Sequence, residues 1–159
     1  MPELDIQLNL PLELNNAFKD GELLVGWFED TKYADGLQVA SVAYQNEYGT
    51  DKIPARPFMR PAQMENENKW IRIAEKKTAE AIEKGLGIDY ILTALGVVAV
   101  GDIQKSISDV YSPPLAEYTI SERLRKRGLS WDELTDTLTK PLVDSGIMRS
   151  TVSFKIKEK

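Results

Sequence analysis

The chain has 159 residues, 42% of them hydrophobic and 28% charged, with a formal net charge of −5 and neither cysteine nor histidine. That length and apolar content suit one domain with a buried core, residues 1–20 forming an N-terminal arm. Without cysteine or histidine there is no disulfide scaffold, no thiolate nucleophile or zinc ligand, no histidine base and no His-containing triad.

Residues 1–10 alternate Ile6, Leu8 and Leu10 with Asp5, Gln7 and Asn9, the period of a half-buried strand, until Pro11 stops ladder bonding. The acidic start, Met-Pro-Glu-Leu-Asp, is unlike the basic beginning of a secretory signal and points to a cytosolic product. A short helix is expected over 12–19, closed by Gly21. Residues 22–28 read as a strand apolar on both faces, Gly26 marking a bulge or a close backbone approach. After a polar turn, the three- and four-residue steps of Leu37, Ala40, Ser41, Tyr44 and Tyr48 predict a helix over 37–48 that Gly49 ends.

Thr50 to Pro61 contains Pro54, Pro57 and Pro61, which predicts a stiff loop with Ile53, Arg56 and Arg60 extended. From Ala62 to Lys84 the stripe Ile71, Ala74, Thr78, Ala81, Ile82, Gly85 predicts a long helix with a charged outer face, broken at Gly85 and Gly87. A second long helix over 88–108 is apolar nearly all round, so it is expected at the centre, packed on two sides. Leu92, Leu95, Ala99, Ile103 and Ile107 share one face, Ile91, Val97, Val98 and Val100 widen it, and Gly96 and Gly101 are placed for close approach of a strand. Its longest apolar run, Ile91 to Val100, is about half of what spans a bilayer.

Ser112-Pro113-Pro114 is a breaker, and a basic helix follows over 117–127, ending at Gly128. Ser130 and Glu133 form a capping-box pattern for a helix kept short by Pro141. Asp144-Ser145-Gly146 reads as a turn, and Val152, Phe154 and Ile156 alternate with polar residues as a C-terminal strand. These elements predict an α+β fold: a small, mostly antiparallel sheet packed against a long two-helix hairpin.

Candidate functional residues fall in three places. In Ile53-Pro-Ala-Arg-Pro-Phe-Met-Arg-Pro61 the prolines hold two guanidinium forks with little entropy left to lose on docking, which suits subunit or partner contact through Arg56 and Arg60 with Phe58 and Met59 as apolar anchors. The competing reading is an internal clamp, with the arginines paired to acids such as Glu47 and Phe58 plugging the core. Asp144, Gly146 and Arg149 form the second group, Gly146 for a turn of positive φ and Arg149 for an ion pair with Asp144. The third is Arg123, Arg125, Lys126 and Arg127, a solvated helix face that could also meet a neighbour's acidic patch or nucleic acid. An acidic chain argues against a dedicated nucleic-acid binder, and that module stands as the alternative function. Glu47 without a second acid, base or metal gives no support for acid–base catalysis. No metal-ligand spacing occurs, and no cofactor, small-molecule substrate or membrane partner is expected.

Charge is uneven: residues 1–60 carry net −5, 61–119 net −3 and 120–159 net +3. Oppositely charged faces suit head-to-tail contacts between copies, the kind that closes into rings.

Two segments, Tyr44-Gln-Asn-Glu-Tyr-Gly-Thr50 leading through Ile53-Pro-Ala-Arg-Pro-Phe-Met-Arg-Pro61, and Pro141-Leu-Val-Asp-Ser-Gly-Ile-Met-Arg-Ser-Thr-Val-Ser-Phe154, resemble in order and spacing the neck or tail-completion proteins of tailed bacteriophages and prophages. Pro113-Pro-Leu-Ala-Glu-Tyr-Thr-Ile120 fits a third element of that pattern. Together they span about a quarter of the chain; Ser145 and Thr151-Val152 depart mildly from the usual residues, and the first 40 residues match nothing in the pattern. The resemblance implies a non-enzymatic virion structural protein, assembled in the bacterial host cytoplasm as a ring at the head–tail junction or tail end. It implies a hexamer, head-connector or tail-tube proteins as neighbours, and subunit contacts at the Arg-Pro loop and the Asp-Ser-Gly turn.

Overall fold

The computed structural model describes residues 4–6, 21–28 and 31–158. The expected helix over 12–19 and the part of the expected first strand beyond Ile6 lie outside these residues. Three strands, β1 (Leu4–Ile6), β2 (Gly21–Gly26) and β3 (Ser153–Glu158), form an antiparallel sheet in the order β1-β2-β3. Leu23 pairs with Ile6 on one side and Ile156 on the other. As the central strand, β2 buries Leu23, Leu24 and Val25 in succession, as a strand apolar on both faces should.

The helices are α1 (Val39–Tyr48), α2 (Met59–Lys84), α3 (Ile88–Asp109), α4 (Glu117–Arg127), and two single turns, α5 (Asp136–Thr139) and α6 (Ile147–Ser150). α2 and α3 form the long hairpin, and α3 lies between α2 and the sheet. The fold is therefore α+β, a small antiparallel sheet on a two-helix hairpin. By length and mean hydropathy α3 would pass for a membrane-spanning helix. Here it buries Leu92, Leu95, Ala99, Ile103 and Ile107 in the core shared with β2. Gly96 is the close-approach point: a Cβ there would lie 2.6 Å from the Phe154 ring of β3. Gly101 has no such neighbour, and Val97 points outward, so the apolar girdle of α3 is incomplete.

Three expectations are corrected. The buried stripe of α2 is Trp70, Ala74, Thr78 and Ala81, while Ile71 and Ile82 are exposed. The stripe turns this way because Trp70 reaches α3, donating its indole N–H to Asp102 at 2.8 Å. Helix α1 buries Val39, Ala40, Ala43 and Glu47; of the predicted stripe only Ala40 is buried, and Leu37, Tyr44 and Tyr48 lie outside. Finally, α2 begins at Met59, so Arg60 and Pro61 are helical rather than part of an extended loop. Pro61 sits in the first turn, where a missing N–H costs nothing. The capping-box pair yields one 3₁₀ turn, Trp131–Glu133, in which Glu133 Oε2 accepts the Ser130 backbone N–H at 2.9 Å.

Candidate functional site

Glu47 explains the Arg-Pro loop. It lies in the last turn of α1 and is fully buried. Its Oε2 accepts the backbone N–H groups of Phe58 (2.7 Å) and Met59 (2.9 Å), and its Oε1 accepts the N–H of Arg60 (3.2 Å). These are opening N–H groups of α2, which have no partner within the helix and sit at its positive pole. A carboxylate from another helix thus caps α2, whose own cap position, Phe58, offers no capping side chain. Arg60 completes the pair, donating from Nε to Glu47 Oε1 at 2.9 Å and from Nη2 to the Glu47 carbonyl at 3.2 Å. Between α1 and α2 the chain doubles back through Gly49 (φ 76°), where a Cβ would lie 2.8 Å from the Ala55 nitrogen. A side chain is excluded there on both counts.

The same loop is tied to the Pro113-Pro114 segment. Arg56, 6% exposed, donates from Nε to the Pro113 carbonyl (2.7 Å) and from Nη2 to the Pro114 carbonyl (2.9 Å). Burial pushes its pKa down from the usual arginine value. Phe58 is wholly buried and meets Trp27 edge to face at 5.7 Å, and Met59 is in the same core. Arg56, Phe58 and Met59 are therefore an internal clamp and core, not anchors offered to a partner. Only Arg60 keeps much of its side chain outside, 55% exposed and 5.1 Å from the centre of the Tyr48 ring.

The basic run of α4 is also largely committed within the chain. Arg123 is buried, and its guanidinium donates to the carbonyls of Leu138, Lys140, Pro141 and Val143 at 2.7–3.3 Å. It organises the loop that carries α5, a segment for which Pro141 is the one local sequence marker. Its Nε has no hydrogen-bond acceptor among the described residues but lies 3.6 Å from Asp144 Oδ1. Desolvation lowers its pKa, and the Asp144 charge works against that. Arg125 is held by Glu122 at 2.9 Å and Arg127 by Asp144 at 2.8 Å, leaving Lys126 exposed without such a bond among the described residues. Arg123 is thereby removed from any nucleic-acid surface, and the charges of Arg125 and Arg127 are each already paired with a carboxylate.

Gly146 takes φ 76°, the left-handed turn residue expected. The expected Asp144–Arg149 pair does not form. Asp144 turns to α4 instead, while Arg149 Nη1 donates to Ser108 Oγ at 3.3 Å. The turn borders a groove of about 490 Å³ with Tyr33, Asp35, Arg123, Lys126 and Asp144 along its polar side. Two carboxylates offset two cations there, so the groove has no net sign. Burial, then Asp144 and Asp35, raise the Tyr33 phenol above its ordinary pKa. Trp27 locks the neighbouring backbone by donating its indole N–H to the Met148 carbonyl at 2.8 Å.

Two features escaped sequence reasoning. The Glu47 cap joins residues 11 to 13 positions apart, and its only local signal is an acid at an inward helix position. The exposed pair Tyr44 and Tyr48, with ring centroids 4.8 Å apart, sits one turn apart, and its spacing predicts the helix but not which way the rings face. Compared with known proteins, the chain matches no family model, no curated protein and no solved structure.

Proposed function

We propose that this chain is a non-enzymatic virion structural protein: a ring-forming neck or tail-completion component that joins phage head and tail or caps the tail. The observation that carries the reading is the convergence of three sequence-distant segments, those that resemble the phage pattern. Residues 44–61 bind 113–114 through Arg56, and Asn46 borders the same groove as Asp144, Ser145 and Gly146. The shared residues are thus scaffold residues, which is what a resemblance in fold requires.

Assembly rather than turnover is supported by how the charged groups are used. Of the groups a catalyst would need free, Glu47 caps a helix, Arg56 and Arg123 hold backbone carbonyls, and the Asp144 carboxylate accepts from Arg127. What remains outside is shape, scattered charge and half-exposed aromatic side chains, the materials of protein–protein contact.

Sedimentation velocity over a wide concentration range tests the reading. A concentration-dependent closed oligomer is expected, its encounter rate falling as salt rises. Turnover of a small molecule, or a strictly monomeric chain that also ignores purified head-connector and tail-tube proteins, would overturn it.

A further inference from the structure

We propose that a second copy of this chain docks its Trp131–Asp136 segment onto a row of exposed side chains formed by Tyr44, Tyr48, Arg60 and Met64. The proposal rests on the self-assembly reading above and names the two surfaces that meet.

The row is continuous. The Tyr44 and Tyr48 rings are 4.8 Å apart, the Arg60 guanidinium is 5.1 Å from the Tyr48 ring centre, and Met64 follows Arg60 by one turn of α2. Both tyrosines are about half exposed (48% and 51%) and Met64 is 79% exposed. Tyrosine, arginine and methionine concentrate in the buried centres of protein interfaces. The row is also stiff at its middle, because Arg60 is pinned through Nε and Nη2 to Glu47. A pinned arginine loses little freedom when it is covered.

Arg60 selects the occupant. One face of its guanidinium lies against Tyr48, and Nη1 has no acceptor among the described residues. The open face suits an aromatic ring, and the free N–H groups suit a carboxylate beside that ring. The Trp131–Asp136 segment carries both. Trp131 is half exposed and Asp132 is exposed beside it. Among the described residues the Asp136 carboxylate is held only by a 3.9 Å contact to Lys140, and Glu133 is already spent on Ser130. No lysine or arginine occurs from 128 to 139, so the segment is a locally acidic knob facing an arginine-centred row. Leu134, partly exposed, adds an apolar contact of the kind Met64 would accept. The other exposed aromatics fit less well. Tyr111 already has Lys140 5.0 Å from its ring centre, and Tyr118 stands in the field of Arg125, which repels Arg60.

Two variants test the pair of surfaces. Tyr44→Asp with Met64→Asp spoils the row, and Trp131→Ser with Asp132→Lys spoils the knob; none of these four side chains is buried. Circular dichroism and a thermal melt confirm that each variant is folded, and the single changes Tyr44→Asp and Trp131→Ser replace any double variant that is not. Sedimentation velocity then reads association. Each variant alone should associate at least about tenfold more weakly than wild type. A one-to-one mixture should recover a complex that neither forms alone, since each partner keeps one intact surface. Tyr118→Ser should associate as wild type does. Variants that assemble normally, or a mixture that recovers nothing, would overturn the docking pair while leaving self-assembly standing. A wild-type chain that stays monomeric throughout would overturn both.

Discussion

Replacing Glu47 with glutamine keeps the side chain's shape and removes its charge, so it isolates what the carboxylate does. Each oxygen of Glu47 receives two donors: Oε2 takes the N–H groups of Phe58 and Met59, Oε1 takes the N–H and Nε of Arg60. Whichever way an amide is turned, its NH₂ faces two donors. Two of the four bonds are lost and the other two lose the charge of their acceptor. A hydrogen bond to a charged group contributes about 1.5–3 kcal/mol, and a buried donor left unpaired costs about 1–3 kcal/mol. Half-exposed Arg60 can turn to water, which discounts its share. The net loss is about 3 kcal/mol for Glu47→Gln, and about 4 kcal/mol for Glu47→Ala, which adds a small cavity. Against a total stability of roughly 5–15 kcal/mol, the glutamine variant stays folded with a much lower midpoint. Urea unfolding followed by the fluorescence of buried Trp27 and Trp70 measures this. The midpoint should fall by about 1.5 M at an m-value near 2 kcal/mol/M. A loss below about 1 kcal/mol with unchanged m would refute the assignment of the carboxylate as the cap of α2.

Three further outcomes follow from the packing and the charges. Arg123→Lys replaces a fork that serves four carbonyls with one ammonium, so it should cost about 2–4 kcal/mol and raise hydrogen exchange through residues 136–143 above the rest of the chain; unchanged exchange there would show that the loop holds itself. Gly96→Ala should cost about 1–3 kcal/mol by pressing on the Phe154 ring, and a double-mutant cycle with Phe154→Leu should recover part of it, whereas strict additivity would remove Phe154 as the cause. Glu80, bonded to Lys77 and Tyr90, is held at about 2 against an ordinary value of 4.5, so it favours the folded state above pH 4.5 and that contribution fades as pH falls toward 2. The difference in stability between wild type and Glu80→Gln should shrink over that window, and a constant difference down to pH 2 would contradict the shift.

Sequence periodicity reached the parts of the fold that depend on local pattern. The apolar density of residues 88–108 placed α3 at the centre, and Gly49, Gly85 and Gly128 ended their helices where expected. The C-terminal alternation gave β3 within two residues. It failed where a polar group is buried for a non-local reason. Glu47 turns inward because three N–H groups of another helix await it, and that rotates α1 so that its tyrosines face out. Trp70 is drawn inward by Asp102 on α3, a partner 32 residues away. The same blindness affected the candidate site. A proline-stiffened arginine loop reads alike whether its forks reach out or in. The carbonyls of Pro113 and Pro114, which decide it for Arg56, have no sequence signature. Of the two readings open at that point, the internal clamp describes Arg56, Phe58 and Met59, and Arg60 alone is left with a share in both.

Native mass spectrometry of the full chain at physiological ionic strength tests the proposed self-association most directly. It should show one dominant multiple of the monomer mass, the mark of a closed ring, with few intermediate species. A spectrum holding the monomer alone at every concentration would contradict the claim.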